Sequence, residues 1–189
     1  MNTEKNKTII NIIDITISFI LIIIFFPVLI FICLLIFIIN GKPILHLSER
    51  VGLNNKIFIL LKFRTMKVKK FQNQKDKVTK LGKFLRKSSI DEIPQLLNIL
   101  KGDMSLVGPR PLPKTLVKNI NFKRHTVKPG LTGLSQIMYE GKKRSLNEKL
   151  KLDKKFIKNY GLKIYLTILT KTPLVLLKRY KFNQSGKTL

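Results

Sequence analysis

The first forty residues constrain this chain more than any other stretch. From Ile9 to Ile39 the sequence is almost wholly apolar, interrupted by Asn11, Asp14, Thr16 and Ser18, and after Asp14 no charge appears until Lys42. Such a block exceeds the roughly 20 residues that a spanning helix needs. It is too long for a cleaved signal peptide, and no small-x-small site follows it. Pro27 sits inside the block, where it has no N–H to give and clashes with the preceding turn. It divides the block into two arms, each too short to cross a bilayer alone. Lys5 and Lys7 precede the block and a far more basic body follows it, so both flanks carry the charge expected of a cytoplasmic side. A helix–break–helix at Pro27 that enters and leaves the same leaflet satisfies both facts. A straight single-pass anchor satisfies only the length.

Charge narrows the partners. The 189 residues hold 37 Lys+Arg against 10 Asp+Glu, a formal net charge of +27. An excess of this size suits nucleic acid or an anionic membrane. The basic residues are scattered from Lys42 to Lys187, and no nucleic-acid-binding signature interleaves with them. With an apolar block at the start, the membrane is the better partner. The single cysteine, Cys33, lies within that block, which fits a reducing compartment. The expected organisation is a membrane-inserted helical hairpin over 1–40 and one body over 41–189.

Along the body, a Gly41-Lys-Pro turn leads to a hairpin-like turn at Val51-Gly-Leu-Asn-Asn-Lys56 and an apolar strand over Ile57–Leu61. Lys62 and Arg64 follow, with the look of a solvated strand edge. Residues 67–77 read as a polar loop. Leu81, Phe84 and Leu85 suggest a short helix carrying Arg86. Gly108-Pro-Arg-Pro111 and Lys128-Pro-Gly-Leu-Thr-Gly133 are rigid turns. His125, alone in a cationic run, reads as a surface residue; His46 is equally isolated, and neither has a second His or Cys nearby to complete a metal site. Ser145 to Tyr160 is a basic helix, and Leu162 to Leu177 is apolar with lysines between, interrupted at Thr172-Pro173. Such a helix either lies on an anionic membrane surface or packs on the body. The last residues, Asn183 to Leu189, look like a frayed tail.

In so basic a chain, the adjacent acids Asp91 and Glu92 stand out. Ser89 with Glu92 three residues on reads as a capping box before the apolar run Ile93, Leu96, Leu97, Leu100. Pro94 fits only near a first turn, which puts both acids at or near a helix N-terminus. Lys101-Gly102 supplies the stop. Two readings stand side by side. First-turn acids complement a helix dipole, or the pair, with Arg86 before it and Arg110 after it, handles phosphate and metal. A carboxylate nucleophile at phosphorus needs cationic help because two anions must meet, and a second carboxylate can hold a divalent ion that masks the repulsion.

Several motifs together resemble one family, the small monotopic polyprenyl-phosphate phosphoglycosyl transferases, or bacterial sugar transferases. They are Asp14 and Ser18 ahead of Pro27, Arg50-Val-Gly-Leu-Asn, Lys62-Phe-Arg-Thr-Met66, Leu81-Gly-Lys-Phe-Leu-Arg86 and Ser89-Ile-Asp-Glu-Ile-Pro-Gln-Leu-Leu-Asn98. Lys101-Gly-Asp-Met-Ser-Leu-Val-Gly-Pro-Arg-Pro111, Lys128-Pro-Gly-Leu-Thr-Gly133 and Leu152-Asp153 complete the set. The resemblance runs from about residue 9 to residue 178.

It implies an α/β, mainly helical fold: a small cytoplasmic body with an N-terminal re-entrant membrane hairpin, in the bacterial inner membrane. It implies that Asp91 attacks the β-phosphorus of a UDP-sugar, that UMP leaves, and that a polyprenyl phosphate such as undecaprenyl phosphate then takes the phosphosugar to start glycan assembly. Glu92 becomes the Mg²⁺ ligand, Arg86 and Arg110 phosphate contacts, and Lys62 and Arg64 weaker phosphate-binding candidates. Partners implied are the two substrates, anionic lipids and downstream glycosyltransferases, with no nucleic acid. The family's small members suggest an N-acetylated amino sugar.

The chain departs from the family pattern at Phe26, where Ser is usual, at His46-Leu-Ser48 in place of Phe-Arg-Gln, at Leu134 in place of Trp, and at Tyr165 in place of an aspartate. Two other readings remain: an inactive scaffold relative, suggested by Tyr165, and a membrane-tethered nucleic-acid-binding protein, suggested by the charge. Neither gives Asp91 and Glu92 a use.

Overall fold

The apolar block winds into a single helix, α1 (Asn2–Asn40). Gly41 ends it: at φ +68 it takes the left-handed conformation that glycine adopts freely, and its N–H donates to the Phe37 carbonyl at 3.0 Å. The helix carries through Pro27, so the expected interruption is not a non-helical gap. A proline removes one N–H and strains one turn, which a long helix accommodates by bending rather than unwinding. The computed structural model describes residues 2–67, 78–117, 123–138 and 145–184; most of the loop expected over 67–77 and of the tail after Asn183 lies outside them.

β1 (Leu45–Val51) and β2 (Ile57–Phe63) form an antiparallel hairpin in register from Leu45↔Phe63 to Val51↔Ile57. Its turn contains Asn54 and Asn55 at positive φ, a conformation asparagine tolerates better than most residues. β2 alternates, with Phe58 and Leu60 buried and Ile57 and Ile59 exposed. The helices α2 (Lys80–Ser88) and α3 (Gln95–Leu100) follow. Next come β3 (Ser105–Val107) and α4 (Lys114–Val117). β4 (Gly130–Thr132) pairs with β3 in parallel. The two strands approach so closely that a Cβ on Gly130 would stand 2.0 Å from the Gly108 nitrogen.

The chain continues through α5 (Leu134–Ile137), α6 (Leu146–Lys158) and α7 (Leu162–Gln184). The capping box of this chain opens α6, where Ser145 and Glu148 satisfy each other's backbone N–H groups. α7 continues through Pro173, contrary to the interruption expected there. The Thr172 hydroxyl, which donates to the Ile168 carbonyl at 2.8 Å and meets Thr132 Oγ1 at 3.0 Å, ties that turn to β4.

Two apolar clusters hold the body to α1. Ile10 packs with Phe58, Leu60, Leu96, Ile99, Met104, Leu106, Phe156 and Tyr165. Ile32 and Ile36 pack with Phe63 and Leu85. Beside the first cluster Asp14, 2% exposed, accepts the Leu106 N–H and the Tyr165 hydroxyl, each at 2.7 Å. The architecture is thus mainly helical, with two small two-stranded sheets among the described residues.

Candidate functional site

Between the β-hairpin and the α2–α3 connection lies a cavity of about 440 Å³. Arg50, Lys62, Arg64, Arg86 and Arg110 line it with Asp91 and Glu92, an excess of three positive charges. All six charged residues singled out as catalytic or phosphate-binding in the sequence are therefore on one wall system. His46, Ser48, Thr65 and Ser89 add polar lining.

Packing explains the convergence. α2 lies directly on the chain after β2: a Cβ at Gly82 would stand 2.1 Å from the Thr65 carbonyl oxygen. That approach lets Arg86 Nε donate to Thr65 Oγ1 at 2.9 Å. Buried Asn98 on α3 accepts the Leu61 N–H at 3.0 Å and donates to the Ile59 carbonyl at 2.7 Å, locking β2 across the helix. Lys62, next along β2, then reaches Glu92 Oε1 at 2.5 Å. Arg110 Nη2 binds the same oxygen at 2.8 Å.

The local setting of the acids differs from the expected capping box. Ser89 stands at φ +60, ending α2, and makes no side-chain cap. Asp91 and Glu92 occupy a single 3-10 turn, Ile90–Glu92, and α3 begins only after Pro94. The Glu92 carboxylate turns towards Lys62 and Arg110 because two cations offer it more than one backbone N–H does.

The two acids are tuned in opposite directions. Burial would push Glu92 up, but Arg110 and Lys62 outweigh it and hold its carboxyl below the usual range. Burial and then the neighbouring Glu92 charge push Asp91 up, against Lys62, Arg86 and Arg110. No hydrogen bond from another described residue reaches the Asp91 carboxylate. The result is one acid neutralised by two cations beside a second acid left open to the cavity.

Arg64 lines the cavity but is turned away in part: its Nη2 donates to the Asn40 and Gly41 carbonyls at the end of α1. It braces the helix end, while its Nε and Nη1 lie buried without a partner. Tyr165 does not line the cavity and packs in the first apolar cluster, so that departure does not touch the site. His125 is buried rather than on the surface, with Nε2 unpartnered, and burial lowers its pKa. The sequence reading missed Arg50, Thr65 and Asn98 as parts of the site, although all three lie inside motifs it quoted. Among the described residues no group of three or more His, Cys, Asp or Glu is placed to hold a metal ion.

The model of one protein family, bacterial sugar transferase, matches residues 5–179. The uncharacterized sugar transferase EpsL of Bacillus subtilis (strain 168) is 43% identical over 141 residues, covering 70% of this chain and 69% of its own. Galactosyl transferase CpsE of Streptococcus agalactiae serotype III (strain NEM316) is 39% identical over 144 residues, 65% of this chain and 32% of its own. The UDP-N-acetylgalactosamine-undecaprenyl-phosphate N-acetylgalactosaminephosphotransferase of Aeromonas hydrophila is 37% identical over 145 residues, 69% of this chain and 34% of its own. The match thus spans about a third of the length of the last two relatives.

Proposed function

The chain belongs to the bacterial sugar transferase family, and from that premise we propose that it transfers a phosphosugar from a UDP-sugar to undecaprenyl phosphate. The observation that carries the reading is the cavity itself, in which an unengaged Asp91 stands beside a neutralised Glu92 within a ring of cations. An Asp91 oxygen forms a bond to the β-phosphorus of the donor, and the bond from that phosphorus to the UMP oxygen breaks. UMP leaves with the electron pair, and the phosphosugar stays on Asp91. An oxygen of undecaprenyl phosphate then attacks the same phosphorus, and the Asp91 carboxylate leaves. The cations offset the meeting of anions in both steps.

Both ion pairs of Glu92 fall on Oε1, so its Oε2 would be the oxygen offered to magnesium. That ion keeps several waters and takes one or two carboxylates together with substrate phosphates. Glu92, beside Asp91, would hold it. When bound, the ion neutralises charge on the donor diphosphate.

The same proposal sets α1 in the inner leaflet as a re-entrant element, with the body on the cytoplasmic face. Ile10 and Ile36 are about 39 Å apart along a straight helix, yet both are buried against one body. A spanning helix would put those patches on opposite sides of a hydrocarbon core about 30 Å thick, and a body this basic cannot touch both. Between them Ile23, Ile24, Phe26, Val28, Ile30 and Phe31 stand exposed around Pro27. On α7 the exposed Leu166, Leu174 and Leu177, interleaved with lysines, suit contact with anionic lipids.

CpsE and the Aeromonas hydrophila enzyme carry names for different sugars at similar identity, so the donor is sought by panel. UMP release is measured from nanodisc-held protein across UDP-sugars with Mg²⁺ and undecaprenyl phosphate, beside Asp91→Asn. Release with one donor, absent in the variant, is expected. Turnover that survives in Asp91→Asn would remove the nucleophile assignment, and silence across the panel from folded wild type would remove the reaction.

A further inference from the structure

Arg110 is a partly exposed, flexible side chain asked to hold a carboxylate in one place. Its side chain is 46% exposed, against 19% for Glu92. Such a contact is only as well placed as the main chain from which it springs. On either side, that main chain is fixed by the sheets: Gly130 N–H donates to the Pro109 carbonyl at 3.0 Å, and Val51 N–H to the Leu112 carbonyl at 3.1 Å. The carbonyl of Arg110 itself is taken by a different group. Arg124 Nη2 donates to it at 2.6 Å.

Arg124 is held in turn by Asp153, whose Oδ2 accepts from Arg124 Nη2 at 2.7 Å and from Nε at 3.0 Å. Both side chains are almost wholly buried, at 2% and 5% exposed. A buried ion pair is a poor source of net stability, because desolvation offsets the attraction. Its geometry here shows another use. The pair stands behind the Gly-Pro-Arg-Pro turn and grips the carbonyl of Arg110 itself, between the Pro109 and Leu112 carbonyls that the strands hold.

We infer that Arg124, oriented by Asp153, is a positioning residue for Arg110, fixing the main chain from which its guanidinium reaches Glu92. This rests on the role proposed above for Arg110. Arg124 touches neither acid of the cavity and acts only through the turn. Lysine at 124 would keep the charge but lose the planar fork that serves carboxylate and carbonyl together.

The test is a mutant cycle of Arg124→Lys, Arg110→Ala and the double variant, read on both UMP release and UDP affinity in nanodiscs. Arg124→Lys is expected to lower kcat/KM on the order of ten-fold, the scale of a small misplacement of a reacting contact. In the Arg110→Ala background the same change should have no further effect. Equal losses in the two backgrounds would make Arg124 an independent structural residue and overturn the inference. Asp153→Asn, close in shape, runs in the same cycle and decides it in the same way if Arg124→Lys does not fold. Wild type that binds UDP without releasing UMP would sink the transfer reaction while the affinity cycle still decides the positioning role. An Arg110→Ala chain with unchanged affinity and turnover would overturn both roles.

Discussion

In the role proposed for it Asp91 must be ionised to attack phosphorus, yet burial and the Glu92 charge both favour its protonated form, and Lys62, Arg86 and Arg110 oppose them. The acidic limb of activity is therefore expected above the ordinary aspartate range, and its position should answer to each cation. Lys62→Gln keeps a hydrogen-bond donor for Glu92 but removes one charge that lowers Asp91. Without it the Asp91 pKa rises, so the ionised fraction is lost at a higher pH as acid is added. The limb of kcat/KM against pH should move up relative to wild type. A limb that stays in place or moves down would show that Lys62 does not set the Asp91 charge.

Most of this site was legible as residue types in short motifs, because Asp91-Glu92, Arg86 and Arg110 lie within about one helical hairpin of each other in sequence. The Lys62–Glu92 pairing was not, since it joins residues 30 apart through a strand register fixed by Asn98. The Ser89 capping box failed because the pattern records spacing alone, whereas Pro94 delays the helix and Ser89 takes a left-handed conformation.

At the scale of elements, α1 serves two environments along one length. Its exposed face is apolar, and its buried face carries Asp14, fixed between β3 and α7 by the Leu106 N–H and the Tyr165 hydroxyl. Burial pushes the Tyr165 hydroxyl well up, so it remains a donor at any working pH. Tyr165→Phe takes one donor from buried Asp14, leaving it the Leu106 N–H and the Ser105 hydroxyl, and should cost about 1–3 kcal/mol. Denaturant unfolding of the nanodisc-held chain reads that loss, and the remaining folded protein should release UMP at the wild-type rate. A stable but inactive variant would put Tyr165 in the chemistry and overturn its structural role.

The turn and second strand of the hairpin, α2, α6 and the stop of α3 at Lys101-Gly102 were legible from turn residues and apolar spacing, whereas the start of α3 was not. The continuity of α1 and α7 was not. A proline's local penalty is readable in sequence, but the packing that outweighs it comes from residues far away, such as Thr132 against Thr172.

At the scale of the whole molecule, the distribution of burial and charge decides topology. Under the topology proposed above, a chain with net charge +27 would hold its cations beside an anionic leaflet, and every described lysine-rich element follows α1. The N-terminal arm carries Lys5 and Lys7 and packs through Ile10 and Asp14 on the same body that the C-terminal arm meets through Ile32 and Ile36. If both arms touch one body, both must lie on its side of the membrane. Single cysteines at Thr3 and at Lys158, placed in a Cys33→Ser background, report this with a membrane-impermeant thiol reagent. Both should label in inverted inner-membrane vesicles and neither in intact cells. Labelling of position 3 from outside intact cells, with position 158 reached only from within, would mean that α1 spans the bilayer; the contact between Asp14 and β3 would then be broken in the membrane, and with it the link by which the helix reaches the strand that leads to Arg110.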